Sequence, residues 1–324
     1  MSHLAFELRT ATAHDRSCLP DHKRSKVSMA GLMLCDPSEL YNILNQATTF
    51  SRLTDTNYLC LLDARKKSEY DESHVITAKR AKEDENGEYL VPPAVELECL
   101  RYCIVYDGHT DSLSGDGPAI RCAIVLEEIS RNPIRILKGG YEVFSAYYPF
   151  FRTQTIMYTP LEMDALQPYP VEILRAQLYM GNFRQANDPH IQKDLKIKAH
   201  VNVCTDIANI FKDHETGQLL HISVEDSGEC DLLSFFPEAC NFIELHNEKQ
   251  STVLVFSTLG ISRSSTIAMA YLMYKKQYTL QYAWKYMRKC KMNIRPNRGF
   301  VEQLSKWEER IIGTKTTDIS DPNF

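Results

Sequence analysis

The segment Val253-Leu254-Val255-Phe256-Ser257-Thr258-Leu259-Gly260-Ile261-Ser262-Arg263-Ser264-Ser265-Thr266 constrains this chain more than any other stretch. A hydrophobic run passes straight into a short loop holding one glycine and one arginine, and a helix-like pattern follows. Together with the strand-like and helix-like runs that alternate along the chain, it suggests a mostly parallel sheet covered on both faces. The turn from strand to helix aims loop amides and a helix N-terminus at one point, the makings of an anion site. Arg263 at the loop's end could add a two-pronged contact to phosphate oxygens. An ordinary strand–helix turn with a solvated arginine is the competing reading.

The rest of the chain supports an α/β architecture in two blocks. In the first, the runs Tyr58–Asp63, Tyr102–Tyr106 and Ile134–Lys138 read as strands, with helices over Pro37–Gln46 and Ala119–Ile129. Arg152–Pro170 holds three prolines without a clear period and reads as a linker. In the second block, His200–Thr205, Leu219–Val224 and Thr252–Ser257 read as strands, and Leu232–His246, Ser264–Lys275, Leu280–Lys291 and Gly299–Ile312 as helices. Phe300, Leu304, Trp307 and Ile311 share one helical face and are assigned to the core. The polar stretch from Gly313 is expected to fray.

Composition narrows the class. A net charge of −5 gives no electrostatic case for nucleic acid, and no apolar run approaches the length of a membrane span. The ten cysteines include no CxxC pair and several lie inside apolar stretches, so reduced, buried thiols of a cytosolic protein are expected, with no metal or cofactor. Residues 1–28 carry five Lys/Arg and three Asp/Glu and lack a signal-peptide core. They are expected to be a disordered extension, with Met29 as an alternative start. The expected location is cytoplasmic, with a mitochondrial pool left open.

The 253–266 segment resembles the signature of the cysteine phosphatases, His-Cys-x5-Arg-Ser/Thr, in its dual-specificity form. Gly260, Ile261, Ser262, Arg263 and Ser264 stand where that family has them. Glu172-Ile173-Leu174, Leu178–Asn182 and Ala186 look like the start of that domain, Val201–Val203 like its next strand, and Ser223-Val224-Glu225-Asp226-Ser227 like its general-acid loop. Arg295–Phe300 with Gln303-Leu304 looks like its C-terminal segment. The resemblance implies a phosphate-binding loop of Ser257, Thr258, Leu259, Gly260, Ile261, Ser262, Arg263 and Ser264, with Asp226 at the general-acid position. Ser264 is expected to cap the helix or bind the anion.

Two residues depart from the signature: Ser257 stands at the cysteine and Phe256 at the histidine. A thiol, with a reference pKa of about 8.5, becomes largely thiolate in an electropositive loop. An alcohol does not, and needs an adjacent base that Phe256 cannot supply.

The first block resembles a rhodanese domain through Asp63-Ala64-Arg65, Glu69-Tyr70, Ser73–Ala78 and Ile136–Tyr141. At the position of the rhodanese cysteine stands Asp107, in a loop that also holds Asp111 and Asp116 and no Lys or Arg. Cys103 is read as a buried strand thiol, and His74 and His109 as structural or solvated. A rhodanese-like domain followed by a dual-specificity domain is the arrangement of the MAP kinase phosphatases, whose first domain docks the kinase through a basic cluster. The nearest counterpart, Lys79, Arg80 and Lys82, runs into Glu83-Asp84-Glu85 and reads better as a solvated charge run.

The expected organisation is an extension over 1–32, a rhodanese-like α/β domain over 33–152, a linker over 153–169, a dual-specificity phosphatase-like α/β domain over 170–312 and a tail over 313–324. The chain resembles the STYX-like pseudophosphatases related to MAP kinase phosphatases. That implies an inactive regulatory protein binding phosphoproteins or modulating active phosphatases. A weak phosphatase, or a scaffold using other surfaces, remains open.

Overall fold

The computed structural model describes residues 31–48, 50–93, 95–205, 218–321 and 324. The expectations for residues 1–28 and Met29 lie outside them. The first block contains β1 (Leu32–Cys35), α1 (Pro37–Leu44), β2 (Leu59–Asp63), α2 (Lys67–Glu72), β3 (His74–Val75), β4 (Lys79–Arg80), β5 (Tyr102–Tyr106), α3 (Pro118–Glu127), β6 (Ile134–Leu137) and α4 (Gly140–Tyr147). Its sheet runs β1-β6-β5-β2-β4, with every pairing parallel. Alternation along the strands divides the core. Leu61, Ile104 and Tyr106 pack with residues of α1 and α4, while Cys60, Leu62, Cys103 and Val105 pack with α3.

The stretch expected to be a linker holds two short elements. β7 (Arg152–Thr153) pairs antiparallel with β3, and α5 (Pro160–Ala165) is started by a Thr159/Glu162 capping box with proline in the first turn.

The second block contains β8 (Val171–Leu174), β9 (Leu178–Asn182), α6 (Phe183–Ala186), α7 (Pro189–Asp194), β10 (Ile197–Asn202), β11 (Leu219–His221), α8 (Phe236–Glu248), β12 (Thr252–Ser257), α9 (Arg263–Lys276), α10 (Leu280–Cys290) and α11 (Arg298–Ile312). Its sheet runs β11-β10-β12-β9-β8, with β8 the antiparallel edge. One face packs with α8 to α11, and Phe300, Leu304 and Trp307 are buried there, as their spacing predicts. From the other face, Tyr179, Leu254 and Phe256 join a cluster that includes Tyr41, Phe144 and Tyr148 of the first block.

Polar bonds fix the two blocks together. Asn42 of α1 donates to Glu172 O at 2.8 Å and accepts from Glu172 N–H at 2.7 Å. Gln46 makes the same reciprocal pair, donating to Cys290 O at 2.8 Å and accepting from Met292 N–H at 3.0 Å. Tyr41 donates to Pro170 O at 2.7 Å, and Asn45 accepts from Tyr169 N–H at 2.8 Å. Asn42, Asn45 and Gln46 are all buried. The carboxylate of buried Glu172 accepts from Tyr148 at 2.5 Å, from Tyr179 at 2.7 Å and from Ala176 N–H at 3.0 Å. Burial, then the Glu172 charge, pushes both tyrosine hydroxyls up, so they remain donors.

The expectation that the chain frays from Gly313 is also corrected. Gly313 ends α11 in the left-handed conformation, at φ 88°. Thr316 and Thr317 then turn their amides and hydroxyls onto Glu308 of α11. The sequence hides this, because Glu308 looks like one more solvated helix charge.

Candidate functional site

Strand β12 delivers the loop, and α9 receives it. Gly260 is required by two facts together: its φ is +70°, and a Cβ there would lie 2.6 Å from Gly181 O. Ile261 O accepts from Arg295 N–H at 2.7 Å, which ties the loop to the segment before α11. Ser265 Oγ donates to Ile261 O and Ser262 O, and Thr266 Oγ1 donates to Ser262 O, tightening the first turn of α9. Leu259 is exposed at the loop's tip.

Inside the loop, Ser257 is buried and donates to Ser264 Oγ at 3.0 Å, while Ser264 N–H reaches Ser257 Oγ at 3.4 Å. The Ser264 hydroxyl therefore partners Ser257. It does not cap α9, whose N-cap is Ser262, and this corrects the expected capping role. Phe256 has no exposed surface and its ring lies 6.4 Å from Phe183 and 6.2 Å from the imidazole of His200. It is a core side chain on the face opposite α9 and offers the Ser257 hydroxyl no proton acceptor.

Arg263 is buried, and its fork is bound to protein: Nη1 donates to Val224 O at 2.9 Å and Nη2 to Thr258 Oγ1 at 3.0 Å. Nε has no hydrogen-bond partner and lies 3.8 Å from Asp226 Oδ2. An anion in the loop would meet Nε first and compete with Thr258 for Nη2. Asp226 stands at the mouth, accepting from Ser262 Oγ at 2.6 Å and from Asn297 Nδ2 at 2.9 Å. The structure thus brings Ser257, Arg263, Ser264 and Asp226 together. Sequence reasoning assigned no role to Asn297, which also caps α11 through Phe300 N–H at 2.9 Å. Asn before an amphipathic helix was the available signal for the cap, and nothing local signals its bond to Asp226.

In the first block, Asp107 directly follows β5 and its carboxylate collects four donors. His109 N–H, at 3.1 Å, and Thr110 N–H, at 2.9 Å, reach Oδ1; Thr110 Oγ1, at 2.7 Å, and Ala119 N–H, at 3.1 Å, reach Oδ2. Burial alone would raise this carboxyl. The Thr110 hydroxyl and the Thr110, Ala119 and His109 amides outweigh it and hold the carboxyl below the usual range. Asp107 therefore fills with its own side chain the place where loop and helix amides would hold an anion. Because the folded pKa is lowered, this contribution is present above the unfolded pKa of about 3.9 and lost as pH falls through the folded value. Asp107→Ala is expected to cost about 2–4 kcal/mol at pH 7, with the gap between wild type and variant closing below about pH 4. Urea denaturation of both proteins across pH measures it.

Cys103 is buried beside Cys60, and the hydrogen bond it donates to that sulfur, then burial, pushes Cys103 well up. His74 is buried, stacked 3.9 Å from Tyr70, with its ring nitrogens at Tyr70 O and Thr155 O. His109 is exposed. Arg65 is held by Asp63 and lies 3.7 Å over the Tyr141 ring. Lys79 and Arg80 form edge strand β4, and Lys82 is exposed beyond it. Among the described residues no group of three His, Cys, Asp or Glu is placed to hold a metal ion, and no helix is long and apolar enough to cross a membrane.

Two family models match the chain where these sheets lie: a rhodanese-like domain over residues 37–147 and a dual specificity phosphatase catalytic domain over residues 178–310. This is the two-domain organisation of the MAP kinase phosphatases. The chain belongs to the dual specificity protein phosphatase family. It is 33% identical over 274 residues to human dual specificity protein phosphatase 4, covering 74% of this chain and 68% of that protein. Mouse dual specificity protein phosphatase 1 is 30% identical over 292 residues, covering 78% of each chain. The crystal structure of human tyrosine phosphatase-like serine/threonine/tyrosine-interacting protein matches at 26% identity and a TM-score of 0.40, over 44% of this chain and 96% of that one.

Proposed function

We propose that this chain is a catalytically inactive member of its family, a pseudophosphatase that binds phosphoproteins or modulates active phosphatases. One observation carries the reading: the Ser257 hydroxyl, at the position of the signature cysteine, has Ser264 as its hydrogen-bond partner, while the residue before it is a core phenylalanine. A hydroxyl in that setting has no route to a useful alkoxide population. Asp107, bound by its own loop, supports the same reading for the first domain, which is expected to transfer no sulfur.

The buried polar contacts between the blocks favour a second reading, a rigid scaffold whose partners use surfaces away from the loop. Phosphopeptide binding that disappears in Arg263→Ala supports the first reading, and partner binding that survives that change supports the second. Purified wild type is expected to hydrolyse an aryl phosphate no faster than Arg263→Ala. Turnover that depends on Arg263 would overturn the inactive assignment.

A further inference from the structure

The carboxylate of Glu308 has no exposed surface and gathers five donors. Thr316 and Thr317 supply both of their hydroxyls, at 3.0 and 2.7 Å from Oε1, and both of their amides, each 3.1 Å from Oε2. Leu280 N–H, at the start of α10, reaches Oε1 at 2.9 Å. Burial opposes ionisation, yet these bonds hold the carboxyl below its usual range. Beyond this clasp, Ile319 O accepts from Arg298 Nη1 at 2.5 Å. Phe324 lies 5.1 Å from the Trp284 ring. A cavity of about 440 Å³ beside the signature loop is lined by Asp226, Ser262, Asn297, Arg298 and Phe324.

The segment after α11 is thus fastened at two threonines to one buried charge, and it occupies Arg298 at the edge of that cavity. We propose that Thr316 and Thr317 form a phosphorylation site whose modification unclasps this segment from Glu308 and withdraws Phe324 from the wall of the cavity beside the loop. Thr316 is exposed and Thr317 half-buried, so a kinase meets the hydroxyls when the segment lifts. Transfer from ATP makes an Oγ1–P bond, releases ADP and passes the hydroxyl proton to the kinase's base. The product loses a donor to Glu308 and sets a charge of about −1.5 to −2 against a carboxylate. Two nearby cations already have carboxylate partners: Lys315 lies 3.4 Å from Glu309, and Arg298 3.7 Å from Glu302. The clasp does not depend on whether the loop binds phosphate.

The test uses the full chain with phosphothreonine installed at position 317 by codon reassignment, beside the unmodified chain and Glu308→Gln. Hydrogen exchange at the Thr316 and Thr317 amides is expected to speed up about tenfold or more on phosphorylation. Most of the chain's other protected amides, those of β12 included, should exchange as before. Acrylamide should quench tryptophan emission more strongly as Phe324 leaves Trp284. Glu308→Gln should move the Thr316 and Thr317 amides in the same direction without added charge. A phosphorylated chain with unmodified protection at 316 and 317 would overturn the unclasping. Peptides spanning these residues, from chain isolated out of cells treated with phosphatase inhibitors, should carry phosphate; its absence from both threonines would overturn the site.

Discussion

The double variant Phe256→His, Ser257→Cys is expected to hydrolyse an aryl phosphate, and to do so only while Arg263 is intact. The Ser257 side chain already receives Ser264 N–H and pairs with the Ser264 hydroxyl, so a sulfur there would meet a helix-terminal amide and a second donor. Arg263 Nε stands nearby without a hydrogen-bond partner. These groups favour thiolate, each unit of pKa lowering corresponding to about 1.4 kcal/mol. Asp226 is held at the mouth by Ser262 and Asn297, in place to protonate a leaving oxygen. The expected gain is about 10²–10⁴-fold over the same double variant carrying Arg263→Ala. Ser257→Cys alone should be weaker, because Phe256 cannot hydrogen-bond to the loop. The imidazole carries a cost, since it replaces a ring buried against Phe183 and His200. A folded double variant no faster than its Arg263→Ala and Asp226→Asn derivatives would show that the loop has lost its chemistry beyond residues 256 and 257.

The largest loss of stability is expected at Glu172. In Glu172→Ala, the Tyr148 and Tyr179 hydroxyls and the Ala176 amide lose their shared acceptor at the junction of the two sheets. Stranding buried donors costs roughly 1–3 kcal/mol each when nothing rearranges, and losing one member of a buried charged network about 3–5 kcal/mol in all. That is a large part of the 5–15 kcal/mol typical of a domain. Asn42 and Gln46 still bond to backbone across the same junction, so the variant should stay folded in water and unfold at a lower urea concentration than wild type. Urea denaturation followed by both circular dichroism and tryptophan fluorescence checks this. Tyr148→Phe should produce a smaller loss, and a Glu172→Ala midpoint equal to wild type would mean the carboxylate contributes nothing to the junction.

Much of the architecture was legible because burial leaves periodic marks. Tyr102–Tyr106 and Thr252–Ser257 are strands as their apolar runs predict, and α9, α10 and α11 begin and end within a residue of the expected bounds. The loop residues were legible through the family signature. What escaped was long-range polar bonding. Asn42, Asn45 and Gln46 look like the wet side of a helix, and their partners lie more than a hundred residues away. Strand β7 is two residues long and exists through its pairing with His74 and Val75, so no local pattern marks it. Thr316 and Thr317 read as a polar end because their acceptor sits in the preceding helix with the composition of a surface charge.

The Asp107 carboxylate has a consequence for how the first domain responds to its surroundings. A site that waits for a free anion gains stability by mass action, rising with the logarithm of that anion's concentration. Here the anion is part of the chain, tethered a few bonds from its amides, where effective concentrations reach the millimolar range or above. That contribution is already complete before any solute arrives, and dilution cannot remove it. The domain's fold is therefore uncoupled from the supply of the small anions that such a loop would otherwise bind.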